Sequence, residues 1–437
     1  MRGLTSTILL LVVLGGLVGY IYFVDSRQEG ADADAKPRAF GTITADQIEE
    51  LEIRAAGGEA ARLQRAGQSW QLAEPVKASA DSGAVDTLAT NLQSLEMQRV
   101  VEENPSDLAQ YGLNPARIDI GFRLRDQKEL QHLLIGDKTP TGGDLYAKRA
   151  DRNQVFLVSS FIESIFNKTP FDLRDKSVLE VDRETVTGIE ISKGAATVEL
   201  VRNGSDWRIG KPVAVRADYG AVEGVLTRLT STDMQKVVSE TGEGGPYGFE
   251  RPPLTATVIS GSSRATLVFG RAADGGGYYA RDASRPVVFT VEEALPLEVG
   301  KDVTDLRRKD LFDSRSFSAR RLEIRRGTGT VEYEKAEVDG KETWRTPAGQ
   351  AADTAKIEDA LTKLSNVRAE SFEAAVHPSL KTPTVTVTVR FDEDKTETVS
   401  FGRAASVVYA SRADEPGSAV VLASAADDAI KAVDELK

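Results

Sequence analysis

The side chains able to do chemistry are few and scattered. The 437-residue chain has two histidines and no cysteine. His132 lies in a strand-like run, and the matching positions of two later segments hold Thr266 and Thr398. A histidine without such partners reads as structural rather than as a general base or metal ligand. His377 precedes Pro378 and reads as a loop residue. The lack of cysteine removes disulfides, Cys-ligated zinc, iron–sulfur clusters, thiol nucleophiles and Cys-linked lipid anchors. The H-E-x-x-H, G-x-S-x-G and P-loop spacings do not occur. The run TGEGGPYG misses the G-x-G-x-x-G register by one residue and opens no apolar helix, so it reads as a loop. Asp392, Glu393 and Asp394 suggest a calcium loop, but its glycine and closing glutamate are missing, which leaves a solvated hairpin turn.

What recurs is aromatic and guanidinium chemistry. Trp70, Trp207 and Trp344 stand 137 residues apart, and Tyr-x-x-Arg recurs at Tyr146, Tyr278 and Tyr409. Together they suggest a groove that stacks a sugar or peptide. The favoured reading makes the tryptophans core anchors, since Trp is usually largely buried. Arg174 and Arg307 have the chemistry to bind an anion. Each stands only where another segment follows, so they read as connectors, a bidentate guanidinium packing one domain's end against the next domain's backbone or carboxylates. No residue is assigned a catalytic, cofactor-binding or metal-binding role, and the expectation is a non-enzymatic protein.

Composition bounds the class. With 55 Lys+Arg against 67 Asp+Glu the net charge is −12, and 41% of residues are hydrophobic. This is ordinary globular composition. The acidic balance argues against a nucleic-acid partner, which needs a concentrated basic face.

The spaced tryptophans reveal three internal copies. Each continues into an aspartate (Asp81, Asp218, Asp353) that fits as the N-cap of an amphipathic helix. The apolar faces are Val85, Leu88 and Leu92; Val222, Val225, Leu226 and Leu229; and Ile357, Leu361 and Leu364. Later in each copy a strand of period 2 ends in glycine, at Gly136, Gly270 and Gly402. Another apolar strand follows, then a closing helix with capping-box spacing at Ser160/Glu163 and Thr290/Glu293, weaker at Ser424/Asp427. No regular β-α-β alternation appears. The expected class is α+β: three tandem copies of a mainly antiparallel sheet-plus-helix domain after one N-terminal transmembrane helix. The expected domains are a 1–24 anchor, a 25–39 flexible tether, and copies at 40–176, 177–312 and 313–437. Copies one and two carry Tyr-Gly at Tyr111 and Tyr247, where copy three has HPSLKTP.

The anchor is the uncharged run Leu4 to Val24. At about 1.5 Å per residue a helix of that length reaches about 30 Å, enough to cross a bilayer. It is longer than a signal-peptide core and lacks a small-x-small cleavage site. Arg2 before it and the acidic residues after it put the bulk of the chain outside the cytoplasm.

An N-terminal anchor, Trp-x-x-x-x-Pro with a capping aspartate, Tyr-Gly-Leu-x-x-Pro, Ile-Gly, Tyr-x-x-Arg and Asp-Leu-Arg together resemble a bacterial domain-of-unknown-function family. Its members are membrane-anchored repeat proteins often encoded beside ABC-type transporters linked to gliding motility and export. The resemblance implies an inner-membrane, periplasm-facing location and ABC-type transporter subunits as partners. It carries over no active-site residue.

Overall fold

The computed structural model describes residues 36–242, 245–338, 340–392 and 394–436. They divide into two compact units between Lys176 and Ser177.

The first unit begins with β1 (Ile48–Arg54), β2 (Ala60–Ala66), β3 (Ser69–Glu74) and β4 (Ala78–Ser79). Helix α1 (Ser82–Ser94) follows, then β5 (Arg99–Glu102), β6 (Ile118–Leu124), β7 (Gln131–Lys138), β8 (Asp144–Arg149) and β9 (Val155–Ser159). It closes on two short helices, α2 (Ile162–Phe166) and α3 (Pro170–Leu173). The strands form one sheet in the order β4-β3-β2-β1-β6-β7-β8-β9-β5, with antiparallel pairs throughout. The two strands flanking α1 are therefore the two edges of the sheet, and α1 carries the chain from one to the other.

The second unit repeats the plan twice. Its first half holds β10 (Gly188–Lys193), β11 (Ala196–Asn203), β12 (Asp206–Lys211), β13 (Val215–Arg216) and α4 (Tyr219–Ser231). It continues with β14 (Lys236–Ser239), β15 (Leu254–Ser260), β16 (Ser263–Ala272), β17 (Tyr278–Asp282), β18 (Val288–Val291), α5 (Ala294–Val299) and α6 (Val303–Leu306). Its second half holds β19 (Ala319–Arg326), β20 (Gly329–Val338), β21 (Lys341–Arg345), α7 (Thr354–Ser365) and β22 (Ala369–Glu373). It ends with β23 (Val385–Phe391), β24 (Lys395–Ala404), β25 (Val407–Arg412), β26 (Ser418–Val421) and α8 (Ala423–Asp434). The strand orders repeat that of the first sheet, the third lacking one short edge strand.

The expected class therefore needs correction. The described residues are mostly antiparallel sheet, in three sheets, with few helices. The capping boxes expected to open the closing helices do not form; α2 and α5 have five and six residues, while α8 of copy three has 12 without one. Glu163 pairs instead with Arg117 and Lys138, and Glu293 is itself an N-cap residue making no side-chain bond. Asp427 pairs with Arg403. Among the described residues no helix is long and apolar enough to cross a membrane. The anchor segment Leu4 to Val24 and most of the tether lie outside the described residues. The last tether residues belong to the fold: Met97 donates to the Pro37 carbonyl and Ala39 to that of Leu95.

The long helices form where the sequence places them. Asp81, Asp218 and Asp353 accept from Ala84, Ala221 and Lys356 N–H at 3.0, 2.8 and 3.2 Å. This satisfies N–H groups the helix itself leaves unpaired. The apolar stripes read from the sequence are buried against the sheet, joined by Ala89 and Ala360.

Gly136, Gly270 and Gly402, read as strand ends, each lie two residues inside their strands, and glycine there has a steric cause. A Cβ on Gly136 would lie 2.0 Å from the Tyr111 carbonyl oxygen, and one on Gly270 would lie 2.1 Å from that of Tyr247. On Gly402 it would lie 2.5 Å from the Ser379 carbonyl oxygen. In all three copies a loop is thus pressed backbone-first onto the strand. Gly270→Ala should destabilise its copy by about 1–3 kcal/mol or more, through overpacking against a backbone that has no rotamer to yield. Hydrogen exchange read separately on peptides of copies two and three checks this; equal protection in variant and wild type would refute it.

Candidate functional site

The three tryptophans are core anchors, each no more than 2% exposed. Trp70 Nε1 donates to Asp86 Oδ1 and Trp207 Nε1 to Glu223 Oε1, both at 2.8 Å. Arg65, Arg202 and Lys335 lie over the three rings at 4.5, 5.7 and 5.5 Å. Trp344 Nε1 has no hydrogen-bond partner among the described residues.

The tyrosines also spend their faces internally. Tyr111 packs on Tyr146 and Tyr247 on Tyr279. In copy three the His377 ring stacks on Tyr409 at 3.6 Å. The imidazole thus replaces the tyrosine lost there, while Ser379 takes over its backbone contact with the glycine. The Tyr-x-x-Arg motif of copy two proves to be out of register. The buried alanines Ala147, Ala280 and Ala410 pair with Ile135, Phe269 and Phe401, which aligns Tyr279, not Tyr278, with Tyr146 and Tyr409. The residue three beyond Tyr279 is Asp282.

The connector arginines lie at ends of copies. Arg174 is buried and forms an isolated bridge with Ala80 within the first unit. In the second unit Arg307 crosses from copy two to copy three. Its Nη2 donates to Glu415 Oε2 at 2.8 Å, and its guanidinium lies 3.6 Å from the centre of the Phe372 ring. Arg216 joins it, donating through Nε to Glu415 Oε1, through Nη1 to Asp313 Oδ1 and through Nη2 to the Asp310 carbonyl. Arg412 and Glu397 extend the network, the Glu397 carboxylate also accepting from the Asp313 and Ser314 N–H groups. Burial by itself would raise the Glu415 carboxyl; Arg216 and Arg307 outweigh it and hold it below the ordinary glutamate value.

Asp392 and Asp394 lie at the hairpin between β23 and β24, where Lys395 and Arg390 pair with them.

One open feature belongs to copy one alone among the described residues. On the sheet face opposite α1, His132 on β7 is paired in register with Gly121 on β6. The corresponding pairs in the other copies are Thr257–Thr266 and Thr388–Thr398, hydroxyls bonded at 2.9 and 3.0 Å. In copy one Gly121 and His132, in place of that pair, line a hollow of about 280 Å³. The imidazole lies over Gly121, where a Cβ would sit 3.0 Å from Cε1, and His132 Nδ1 is 2.9 Å from Asp119 Oδ1. Arg54, at 3.6 Å from Asp119, and Arg62, which pairs with Glu52 at 3.6 Å and with Glu74 at 3.5 Å, form the cationic part of the wall. Arg62 is held from below by buried Glu50, which Arg123 also contacts at 2.7 Å. Burial would raise the Glu50 carboxyl, but Arg123 and Arg62 hold it low.

The sheet order, crossing helix and glycine seat define a class: tandem, mostly antiparallel sheet domains with a capped helix running between the two sheet edges. The Domain of unknown function (DUF4340) family matches residues 70–208 and again residues 207–382, and the chain belongs to that family. No curated protein matches. Among solved structures, a DnaN sliding clamp (DNA polymerase III subunit beta) from Pseudomonas aeruginosa bound to griselimycin is 8% identical. The likeness covers 87% of this chain and 92% of that one at a TM-score of 0.16, too low to carry an argument.

Two predictions follow from this packing. Glu415→Gln leaves two buried guanidinium groups facing a neutral amide, and should destabilise the second unit by about 3–5 kcal/mol at neutral pH. Because the folded Glu415 value is depressed, its stabilisation is complete above the ordinary value of 4.5 and is lost as pH falls through the folded value. Urea midpoints of variant and wild type should therefore converge in acid, and a gap independent of pH would refute the assignment. Separately, Trp344→Phe should cost about 1 kcal/mol less than Trp70→Phe or Trp207→Phe, because it breaks no hydrogen bond. Copy-resolved hydrogen exchange distinguishes the three.

Proposed function

We propose that this chain is a non-enzymatic, membrane-tethered envelope protein, an accessory or scaffold subunit of an ABC-type transport or motility complex. The apolar segment Leu4 to Val24 is its membrane attachment, at the inner membrane, and its bulk lies on the periplasmic side. The observation that supports a scaffold is where the recurrent residues lie: Trp70, Trp207 and Trp344 are in the sheet cores, and the aromatic pairs built on Tyr146, Tyr279 and Tyr409 hold loops to strands. What the copies share is spent on holding each copy together. The choice of a transport complex rests on the resemblance of the anchor-plus-repeat pattern. A second reading, a periplasmic glycan- or peptide-binding module, is favoured by the His132 hollow, at a position where the other copies have bonded threonine pairs.

The test is affinity purification of the tagged chain from membranes, followed by mass spectrometry. Co-purifying ATP-binding and membrane subunits of an ABC-type transporter support the scaffold. Cell-wall saccharide without stoichiometric protein supports the binding module and overturns the scaffold.

A further inference from the structure

The copy-one hollow has the chemistry of a specific ligand. Its wall carries two guanidinium groups, three carboxylates and one imidazole, so the charges nearly cancel. A phosphate or other strong anion would meet Glu52, Glu74 and Asp119; a cation would meet Arg54 and Arg62. Neither has the advantage. The strands beneath, β2, β1, β6 and β7, are all interior to the sheet, with ladder partners on both sides. Their backbone groups are already bonded, so an extended peptide finds no edge to join. What the wall offers is donors and acceptors interleaved over a small area. The Asp119 carboxylate only accepts, so His132 Nδ1 is the donor to it, and Nε2 is an acceptor when it carries no proton. Nε2 has no hydrogen bond to any described residue, and the side chain is 32% exposed. The volume, about 280 Å³, falls just below the ligand-cleft range of about 300–1,000 Å³, which suits a small ligand.

We infer that this hollow binds one ring of a neutral saccharide, with sugar hydroxyls donating to His132 Nε2 and to the Glu52 and Glu74 carboxylates and accepting from Arg54 and Arg62. This rests on the binding-module reading and gives it a site and a ligand class.

The test uses the purified chain with ring-labelled histidine. There are only two histidines, so His377 is an internal reference. Methyl glucoside, methyl galactoside and N-acetylglucosamine are titrated at millimolar concentration, with glucose 6-phosphate as the anionic comparison and calorimetry run in parallel. The double variant Gly121→Thr, His132→Thr fills the hollow with the threonine pair that copies two and three already use, so its fold is expected to be kept, and a urea midpoint checks this. A neutral sugar should move the His132 resonances and leave those of His377 in place, and the double variant should lose at least tenfold in calorimetric affinity. Two results overturn the site while leaving a glycan-binding module standing: sugar heat with an unmoved His132, or undiminished binding by the double variant. Absence of both heat and shift for every neutral sugar overturns the site and glycan binding together. A larger response to glucose 6-phosphate than to any neutral sugar overturns the ligand class.

Discussion

Each copy must cover one face of a broad antiparallel sheet with very little helix. Nine strands at about 4.8 Å spacing put the two edge strands about 38 Å apart, whereas a helix of 13 residues reaches only about 20 Å. The crossing helix therefore covers the middle of the face, and the buried tryptophan beside it fills the volume it leaves. The connection from β4 to β5 makes this arrangement obligatory, since a chain that leaves one edge and rejoins at the other has to lie across the face. Everything recurrent in the sequence serves that crossing. The aspartate starts the helix at the first edge, the tryptophan packs beneath it, and the glycine lets the return loop press down on the sheet.

Broad sheets also expose edges, and an unpaired edge invites pairing with other chains. Here both edges are blunted. The first is a two-residue strand in copies one and two. The second carries a register shift in every copy, at Val100/Glu102, Val237/Ser239 and Ala369/Ser371. Such a bulge twists the edge out of the geometry that another strand needs. Val100, Val101 and Val238 are partly exposed on these edges, so strands that would otherwise be sticky are protected by their backbones.

Much that depends on local spacing was legible in the sequence. The N-cap aspartates, the helix stripes, the period-2 strands and the tryptophan anchors all fall where periodicity puts them. Contacts between distant segments were not legible. Arg216 and Glu415 are 199 positions apart, and no periodic signal links them. The capping-box spacings misled in copy one because Glu163 has other partners, Arg117 and Lys138. The closing helices of copies one and two are short, whereas that of copy three runs 12 residues without a side-chain cap. The aromatic pairing of copy three was hidden because His377 supplies the ring and Ser379 the backbone contact, two functions that one tyrosine combines elsewhere. His132 was correctly read as lacking counterparts in the other copies. Its hollow was invisible because it depends on Gly121 directly across the ladder.

The copies share a contact whose donor does not stand at one fixed position. The segment leading into each copy has a backbone carbonyl that is capped by a guanidinium: Ala39 by Arg149, Val178 by Arg285 and Leu311 by Arg412. Arg149 and Arg412 stand two residues beyond the buried alanine of their strands, but in copy two that position is Asp282. The guanidinium there comes from Arg285, three residues further on, and Asp282 pairs with it at 3.2 Å. One position has thus changed from donor to holder of the donor, with the capped carbonyl kept. The position of Arg285 is free in copy three to become Glu415, the carboxylate that receives Arg307 and Arg216 from copy two. Divergence at this corner of the sheet supplies the acidic half of the joint within the second unit. The second stretch that matches the family, residues 207–382, takes in both Arg216 and Arg307, the cationic half of this joint.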